Sequence, residues 1–295
     1  MTIPRVLSIA SSDSGGAAGV QADIKAFARC GAHGMTAIVA LTAQNTLGVT
    51  AIQELPPAFV RAQIDAVLDD IGADAAKTGM LFSAPAIEAV AGALASRHLP
   101  LVVDPVMVAS SGSRLLREDA VHALVTLLFP VATVVTPNLP EAQALTQTMT
   151  EDRGVLAERL AAMGAPAVLI TGGHGADAVD HLFDGSVHLP LPVVRHPVAA
   201  THGAGCTHSA ALAAGLAYGL PLAEAARQAA RIAGDAVAHG LPGLGRGDGP
   251  VHVLHSDPPW TKEDRDDRQL QRRAVARHHR HLPGHPGPSL PHRDD

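Results

Sequence analysis

Short apolar runs alternate with longer segments of helical periodicity along most of this 295-residue chain. The apolar runs predict buried strands at residues 5–10, 35–43, 75–79, 101–104, 131–136 and 167–172. The periodic segments between them predict helices at residues 19–30, 57–72, 84–97, 119–128 and 151–163. Strands and helices in regular alternation are typical of an α/β fold, in which a mostly parallel sheet carries helices on both faces.

The segment after residue 177 departs from this alternation. Residues 178–183 and 186–191 alternate between apolar and polar around Asp184-Gly185, which predicts a β-hairpin. Two alanine-rich helices are expected after it, at residues 208–218 and 222–239.

The composition changes abruptly after His255. Residues 256–295 hold eight basic residues, seven acidic residues and five histidines, with almost no apolar periodicity. We therefore expect one domain at residues 1–255 and a mostly disordered polar tail at residues 256–295. Metal binding by the histidines of the tail, or RNA contact by its arginines, is the less favoured hypothesis because the basic and acidic charges nearly cancel.

The overall composition limits the classes of function. Hydrophobic residues make up 47% of the chain and charged residues 17%, which is enough apolar material for a large core. A formal net charge of −6 and an aromatic content of 2% argue against nucleic-acid binding. No apolar stretch is long enough to cross a bilayer, and the N-terminus does not resemble a signal peptide. Cys30 and Cys206 are far apart and predict neither a disulfide framework nor a zinc site, so we expect a cytoplasmic protein.

Polar clusters follow the predicted strands at their carboxyl ends. Ligands bind at this edge of a parallel α/β sheet, because side chains from several strands meet there. The clusters are Asp13 to Gly16, Gln44-Asn45, Asp104, Asn138 with Glu141, and Gly172 to Gly175. Five such clusters are difficult to explain in a purely structural protein, and they predict one ligand site at this edge.

The segment Thr201-His202-Gly203-Ala204-Gly205-Cys206 combines glycines with a thiol at the start of a predicted helix. Glycines let backbone N–H groups approach an anion closely, and the positive end of the helix dipole lies at the same place. The pattern predicts a phosphoryl-binding site with a thiolate of lowered pKa at Cys206. The alternative is a glycine-capped helix with an inert, buried cysteine.

Two further clusters have the composition of ligand sites. Residues 11–19 match neither a dinucleotide-binding fingerprint nor a P-loop, and Asp23 on the next helical turn could face a ligand or only complement the helix dipole. Asn138 and Glu141 lie three residues apart and face one way if Pro140 opens a helix. An amide and a carboxylate can hold a hydrated Mg²⁺ near phosphates, although helix capping explains the same pair.

Taken together, these motifs resemble the hydroxymethylpyrimidine/phosphomethylpyrimidine kinases of thiamine biosynthesis, within the ribokinase-like superfamily. The resemblance rests on SSDSGGAAGVQADIKAF (11–27), GMTAIVALTAQNTLGV (34–49), AKTGML (76–81), VVDPVMVASSG (102–112), VTPNLPEA (135–142), TGGHG (171–175) and THGAGCTHSAALAA (201–214). It implies a three-layer α/β/α sandwich, ATP and Mg²⁺ as cofactors, and a homodimer. The implied reaction is phosphorylation of 4-amino-5-hydroxymethyl-2-methylpyrimidine and then of its monophosphate.

The resemblance also implies which residues hold the pyrimidine. Gln44 matches the glutamine that hydrogen-bonds the aminopyrimidine ring. Asp23 matches a residue that orients this ring or its hydroxymethyl group, and Met80 and Val106 match apolar walls of the pocket.

A second set of implied residues serves phosphoryl transfer. Cys206 matches the catalytic base, and the backbone of Gly203, Ala204 and Gly205 matches the anion hole. The positions that match the nucleotide side are Asp104, Asn138, Thr171, Gly173 and His174, with Glu141 and Asp104 beside the Mg²⁺. Thr171 stands where many relatives carry lysine, so one positive charge is missing if that lysine contacts phosphate.

Two alternatives stay open from the sequence. A pyridoxal or pyridoxine kinase of the same superfamily also phosphorylates a hydroxymethyl group on a nitrogen heterocycle, although Gln44 and Met80 favour the pyrimidine. A catalytically silent protein that senses the pyrimidine belongs to a different class, and the presence of Cys206 and Glu141 argues against it.

Overall fold

Nine strands form one sheet in the computed structural model, which describes residues 3–108, 115–173 and 177–255. The strands are β1 (Arg5–Asp13), β2 (His33–Asn45), β3 (Gly48–Glu54), β4 (Ala75–Thr78), β5 (Leu101–Val103), β6 (Val134–Val135), β7 (Val168–Ile170), β8 (Val179–Phe183) and β9 (His188–Pro192). They lie in the order β3-β2-β1-β4-β5-β6-β7-β8-β9. From β2 to β7 every neighbouring pair is parallel, whereas β3, β8 and β9 pair antiparallel with their neighbours at the two edges.

Helices cover both faces of this sheet. Within the described residues they are α1 (Gly19–Arg29), α2 (Pro57–Asp70), α3 (Ala84–Leu94), α4 (Glu118–Ala123), α5 (Leu139–Thr146), α6 (Arg153–Ala162), α7 (Ala204–Ala217) and α8 (Leu222–Ala238). Helices α1, α7 and α8 share one apolar core with the sheet, and helices α2 to α6 share the other. The predicted three-layer α/β/α sandwich with a mostly parallel sheet is therefore confirmed.

Successive residues of the central strands belong to the two cores in turn. On β1, Val6 packs into the core on the α7 side, whereas Leu7 packs into the opposite core. On β5, Val102 and Val103 divide in the same way. Because both faces are buried, these strands read as continuous apolar runs, which is why the sequence predicts them well.

Three of the elements that differ from the sequence prediction have a clear physical reason. Strand β3 is not predicted, because its residues are all exposed or half-buried at the sheet edge and give no apolar run. The strand expected at 131–136 is reduced to β6, since the chain stays helical up to Val131. Helix α7 begins at Ala204 instead of residue 208, because Gly203 adopts a φ of +89° and turns the chain directly into the helix. Cys206 therefore lies in the first helical turn.

Two of the sequence predictions concern residues outside the described ranges, namely His174 and the tail at 256–295. Among the helices that the structure describes, none combines the length and the apolar character needed to cross a membrane.

Candidate active site

A cavity of about 640 Å³ lies at the carboxyl ends of the central strands. Its lining combines residues at the ends of β1, β2, β5, β6 and β7 with the first turn of α7. The sequence-predicted residues that line it are Gln44, Met80, Asp104, Val106, Asn138, Glu141, Thr171, Gly173, Gly203, Ala204, Gly205 and Cys206. The structure thus gathers these predicted site residues around one space. Asp23 does not line it, and His174 lies outside the described residues.

The start of α7 presents backbone N–H groups to this cavity. Gly203 is the N-cap, and the N–H of Ala204 donates to the carbonyl of Thr201 at 3.0 Å. Among the described residues, no acceptor pairs with the N–H groups of Gly205 and Cys206. The first turn of a helix leaves such donors free, and its dipole favours an anion there. The Ala204 N–H is therefore engaged by Thr201, whereas Gly205 and Cys206 carry donors suited to an anion. The anion hole at Gly203, Ala204 and Gly205 stays a prediction.

The Cys206 thiol is more basic than the sequence predicts. Burial raises the pKa of Cys206 to about 12, although Lys77 and the backbone N–H of Gly19 act in the opposite direction. The nearby carboxylates of Asp23 and Asp104 raise this pKa further. The prediction of a lowered pKa is therefore wrong, because desolvation and two anionic neighbours outweigh Lys77 and the Gly19 N–H.

Lys77 is a site residue that the sequence analysis missed. Its side chain is fully buried, lines the floor of the cavity, and contacts Asp23 at 2.8 Å and Asp104 at 3.9 Å. These carboxylates raise the pKa of Lys77 above its usual value in spite of burial. A lysine inside the apolar strand segment at 75–79 is the signal that could have found it, because a buried lysine requires an anionic partner.

Asp23 lies beneath the cavity instead of lining it. The carboxylate is fully buried, accepts a hydrogen bond from Ser8 Oγ at 2.6 Å, and holds Lys77 with both oxygens. This geometry gives no support to the predicted contact between Asp23 and the substrate. It places Asp23 as the partner that fixes Lys77.

Asp13 shapes the first glycine-rich loop. Its buried carboxylate accepts hydrogen bonds from the N–H groups of Gly15, Ala17 and Ala18 at 2.7–2.9 Å, and His202 Nε2 lies 3.6 Å away. Burial opposes ionisation of Asp13, but the contact with His202 and these backbone donors outweigh it and lower the pKa. The loop is therefore held around an internal anion.

Gln44 lines the cavity with both ends of its amide engaged. Its Oε1 accepts from Thr42 Oγ1 at 3.1 Å, and its Nε2 lies 3.1 Å from Nε2 of His202. His202 directly precedes the N-cap of α7, so these contacts join the predicted pyrimidine-binding residue to the anion hole. An amide that is fixed in this way presents a preorganised edge to a heterocycle.

Asn138 and Glu141 form a capping box at the start of α5. Asn138 Oδ1 accepts from the Glu141 N–H, and Glu141 Oε2 accepts from the Asn138 N–H, both at 2.9 Å. The capping alternative is therefore correct for their mutual contacts. Burial and the neighbouring Asp104 raise the pKa of Glu141 to about 8. Burial also raises the pKa of Asp104, against the effects of Lys77 and the Ser209 hydroxyl. Two buried carboxyl groups on one cavity suit a divalent cation, which favours their ionised forms.

We expect Gly203→Ala to destabilise the protein by at least about 1–3 kcal/mol, since its backbone is left-handed. A Cβ atom at Gly203 would also lie 1.8 Å from the carbonyl oxygen of Ala17, so the first glycine-rich loop must move. Gly205→Ala is the matched control: its Cβ would meet nothing within 4 Å, and alanine favours a helix. Urea unfolding of both variants checks this, and wild-type stability of Gly203→Ala would contradict it.

Comparisons with known proteins agree with this arrangement. The family model described as phosphomethylpyrimidine kinase matches residues 13–252. The hydroxymethylpyrimidine/phosphomethylpyrimidine kinase of Rhizobium meliloti strain 1021 is 48% identical over 265 residues, which cover 87% of this chain and 98% of that protein.

Solved structures show the same likeness. Phosphomethylpyrimidine kinase from Clostridium difficile 630 matches with a TM-score of 0.69 and 36% identity, over 77% of this chain and 96% of that one. Bacillus subtilis pyridoxal kinase, solved as an ADP complex, matches with a TM-score of 0.76 and 37% identity, over 85% of this chain and 98% of that one.

The family match extends from Asp13 through the last segment that lines the cavity. It therefore includes the glycine-rich loop, the capping box and the thiol at the start of α7. Because it covers most of the chain and a relative of nearly equal length is 48% identical, the chain belongs to the phosphomethylpyrimidine kinase family.

Proposed function

We propose that this protein uses ATP and Mg²⁺ to phosphorylate 4-amino-5-hydroxymethyl-2-methylpyrimidine and then its monophosphate, in thiamine biosynthesis. The observation that carries the proposal is the first turn of α7, where Gly205 and Cys206 line the cavity and bring backbone N–H groups and a thiol together. Phosphoryl transfer depends on positioning and on stabilisation of charge, and backbone donors at a helix start provide both.

The residues around the cavity form a pyrimidine side and a nucleotide side. The first holds the acceptor and the base. Gln44 binds the edge of the pyrimidine, and Met80 and Val106 enclose the ring. The thiolate form of Cys206 accepts the proton of the hydroxymethyl group and becomes the thiol, as that oxygen attacks the γ-phosphoryl group.

On the nucleotide side, Thr171 and Gly173 contact the phosphates of ATP, and Asn138 positions Glu141. Asp104 and Glu141 are the residues that hold Mg²⁺, directly or through water. The cation supplies charge neutralisation on the phosphates when it is bound.

The pyridoxal kinase alternative rests on the likeness to the Bacillus subtilis enzyme, at 37% identity. The higher identity of 48% to a hydroxymethylpyrimidine/phosphomethylpyrimidine kinase favours the pyrimidine. We also propose a cytoplasmic homodimer, on the family resemblance alone.

Product analysis with the hydroxymethylpyrimidine as the sole acceptor tests the proposal. With Mg-ATP we expect the monophosphate first and the diphosphate later, and slower turnover of pyridoxal under the same conditions. Faster turnover of pyridoxal would favour the alternative kinase. Tight pyrimidine binding without ADP release would instead identify a sensor.

A further inference from the structure

His208 is an unpredicted, buried residue of the cavity wall, two positions after Cys206 on α7. Its imidazole is only 5% exposed, and its Nε2 lies 2.9 Å from Oδ2 of Asp180. Asp180 is 3% exposed, and its Oδ1 accepts a hydrogen bond from the N–H of Gly172 at 2.6 Å. One chain of hydrogen bonds therefore joins the helix that carries Cys206 to the turn after β7.

The same chain of contacts continues beyond this turn. The N–H of Thr171 donates to the carbonyl of Pro137 at 3.0 Å, next to the capping box of Asn138. Gly172 must be glycine, because a Cβ there would lie 2.5 Å from the backbone of Val179. The next residue, Gly173, faces open space on the cavity wall. The position of Gly173 is thus set on one side by Asn138 and on the other by Asp180.

The hydrogen bond to Asp180 assigns the tautomer of the neutral His208 ring. Since Asp180 can only accept, Nε2 carries the hydrogen in the neutral ring, and Nδ1 is a bare acceptor. Within the described part of the chain, this buried Nδ1 has no hydrogen-bond partner. A leucine of similar size would fill the space without an unsatisfied atom, so packing alone does not account for an imidazole here.

We propose that His208 is a positioning residue that holds the Gly172-Gly173 turn against the nucleotide phosphates through Asp180. The inference rests on the proposed function, because Gly173 contacts a nucleotide only in that scheme. Without His208, the buried carboxylate of Asp180 loses one of the two donors that it has among the described residues. It then moves to regain solvation and takes the N–H of Gly172 with it. The pyrimidine side is unaffected, since none of these contacts involves Gln44.

Three variants of His208 separate positioning from packing. His208→Gln keeps an N–H donor near the position of Nε2, whereas His208→Asn is too short to reach Asp180. His208→Leu keeps the volume and removes the donor. His122→Leu, at an exposed histidine on α4, is the matched control for this change.

Calorimetry with ADP and with the pyrimidine measures the two sides separately. We expect His208→Leu and His208→Asn to weaken ADP binding at least tenfold and pyrimidine binding less than twofold. His208→Gln and His122→Leu should stay within about threefold of wild type for both ligands. In an Asp180→Ala background, which leaves no polar group for His208 to bind, His208→Leu should have a much smaller effect, because both changes break the same contact.

Several results would overturn the inference. Wild-type ADP affinity in both His208→Leu and His208→Asn would overturn the inference and leave the proposed function standing. Equal losses of affinity for ADP and for the pyrimidine would do the same. Additive effects of His208→Leu and Asp180→Ala would exclude a path through Asp180. If the wild-type protein binds no ADP at all, the proposed function fails, and this inference fails with it.

Discussion

Replacing Lys77 with methionine is expected to abolish pyrimidine phosphorylation and to lower the free energy of unfolding by about 3–5 kcal/mol. The Lys77 side chain is fully buried, and its ammonium group contacts both Asp23 and Asp104. Without it, two carboxyl groups stay in a low-dielectric interior without their cation, and they must take up protons or admit water. Asp104 lines the cavity, so its altered charge changes the site itself.

A double variant distinguishes the effect of Lys77 on stability from its effect on activity. Asp23→Asn combined with Lys77→Met removes the closest ion pair as a unit, so it should recover part of the stability that Lys77→Met loses. It should not recover activity, because Asp104 still lacks its counter-ion. Arginine does not suit position 77, because the space around the ammonium group is narrow. A Cβ atom placed on Gly79 would already lie only 3.1 Å from Lys77 Nζ. Urea unfolding and turnover test both expectations, and a stable, active Lys77→Met variant would contradict them.

The sequence predicts those parts of the fold that depend on local pattern. The central strands are buried on both faces and form apolar runs, so their positions along the chain and the layers around them follow from periodicity. Strand β3 escapes prediction because it lies at an edge, where pairing with β2 replaces burial as the stabilising contact. The start of α7 was placed four residues late, since only the left-handed backbone of Gly203 reveals the true N-cap.

The candidate site likewise has features that the sequence predicts and features that it does not. Glycines, Gln44 and Cys206 are recognisable by residue type and spacing, and the structure places them around one cavity. Contacts between distant segments are not recognisable, and the buried pair of Asp23 with Lys77 is separated by 54 residues. The pKa of Cys206 depends on the same distant groups, so a local argument from the helix dipole gave the wrong direction.

The second large effect is expected for Cys206→Ala, which should slow the first phosphorylation by about 10²–10⁴-fold, as the loss of a general base does. The acceptor in that step is an alcohol, whose proton must leave as the oxygen attacks. The acceptor in the second step is a phosphate monoester with a second pKa of about 6, which is already an anion at neutral pH. We therefore expect a much smaller loss in the second step. Single-turnover assays with each acceptor measure the two steps separately.

The raised pKa of Cys206 predicts the direction in which the rate of the first step changes with pH. With a thiol pKa of about 12, the neutral form predominates at neutral pH, and the thiolate fraction rises about tenfold for each pH unit between 7 and 9. If the thiolate is the base, the single-turnover rate of the first step rises with the same slope in the wild type, and the second step does not. Cys206→Ser is the matched control, because its hydroxyl keeps the size but ionises at far higher pH. A flat profile for the first step, or equal losses in both steps, would mean that Cys206 only packs against the substrate while the Gly205 and Cys206 amides bind the phosphoryl group.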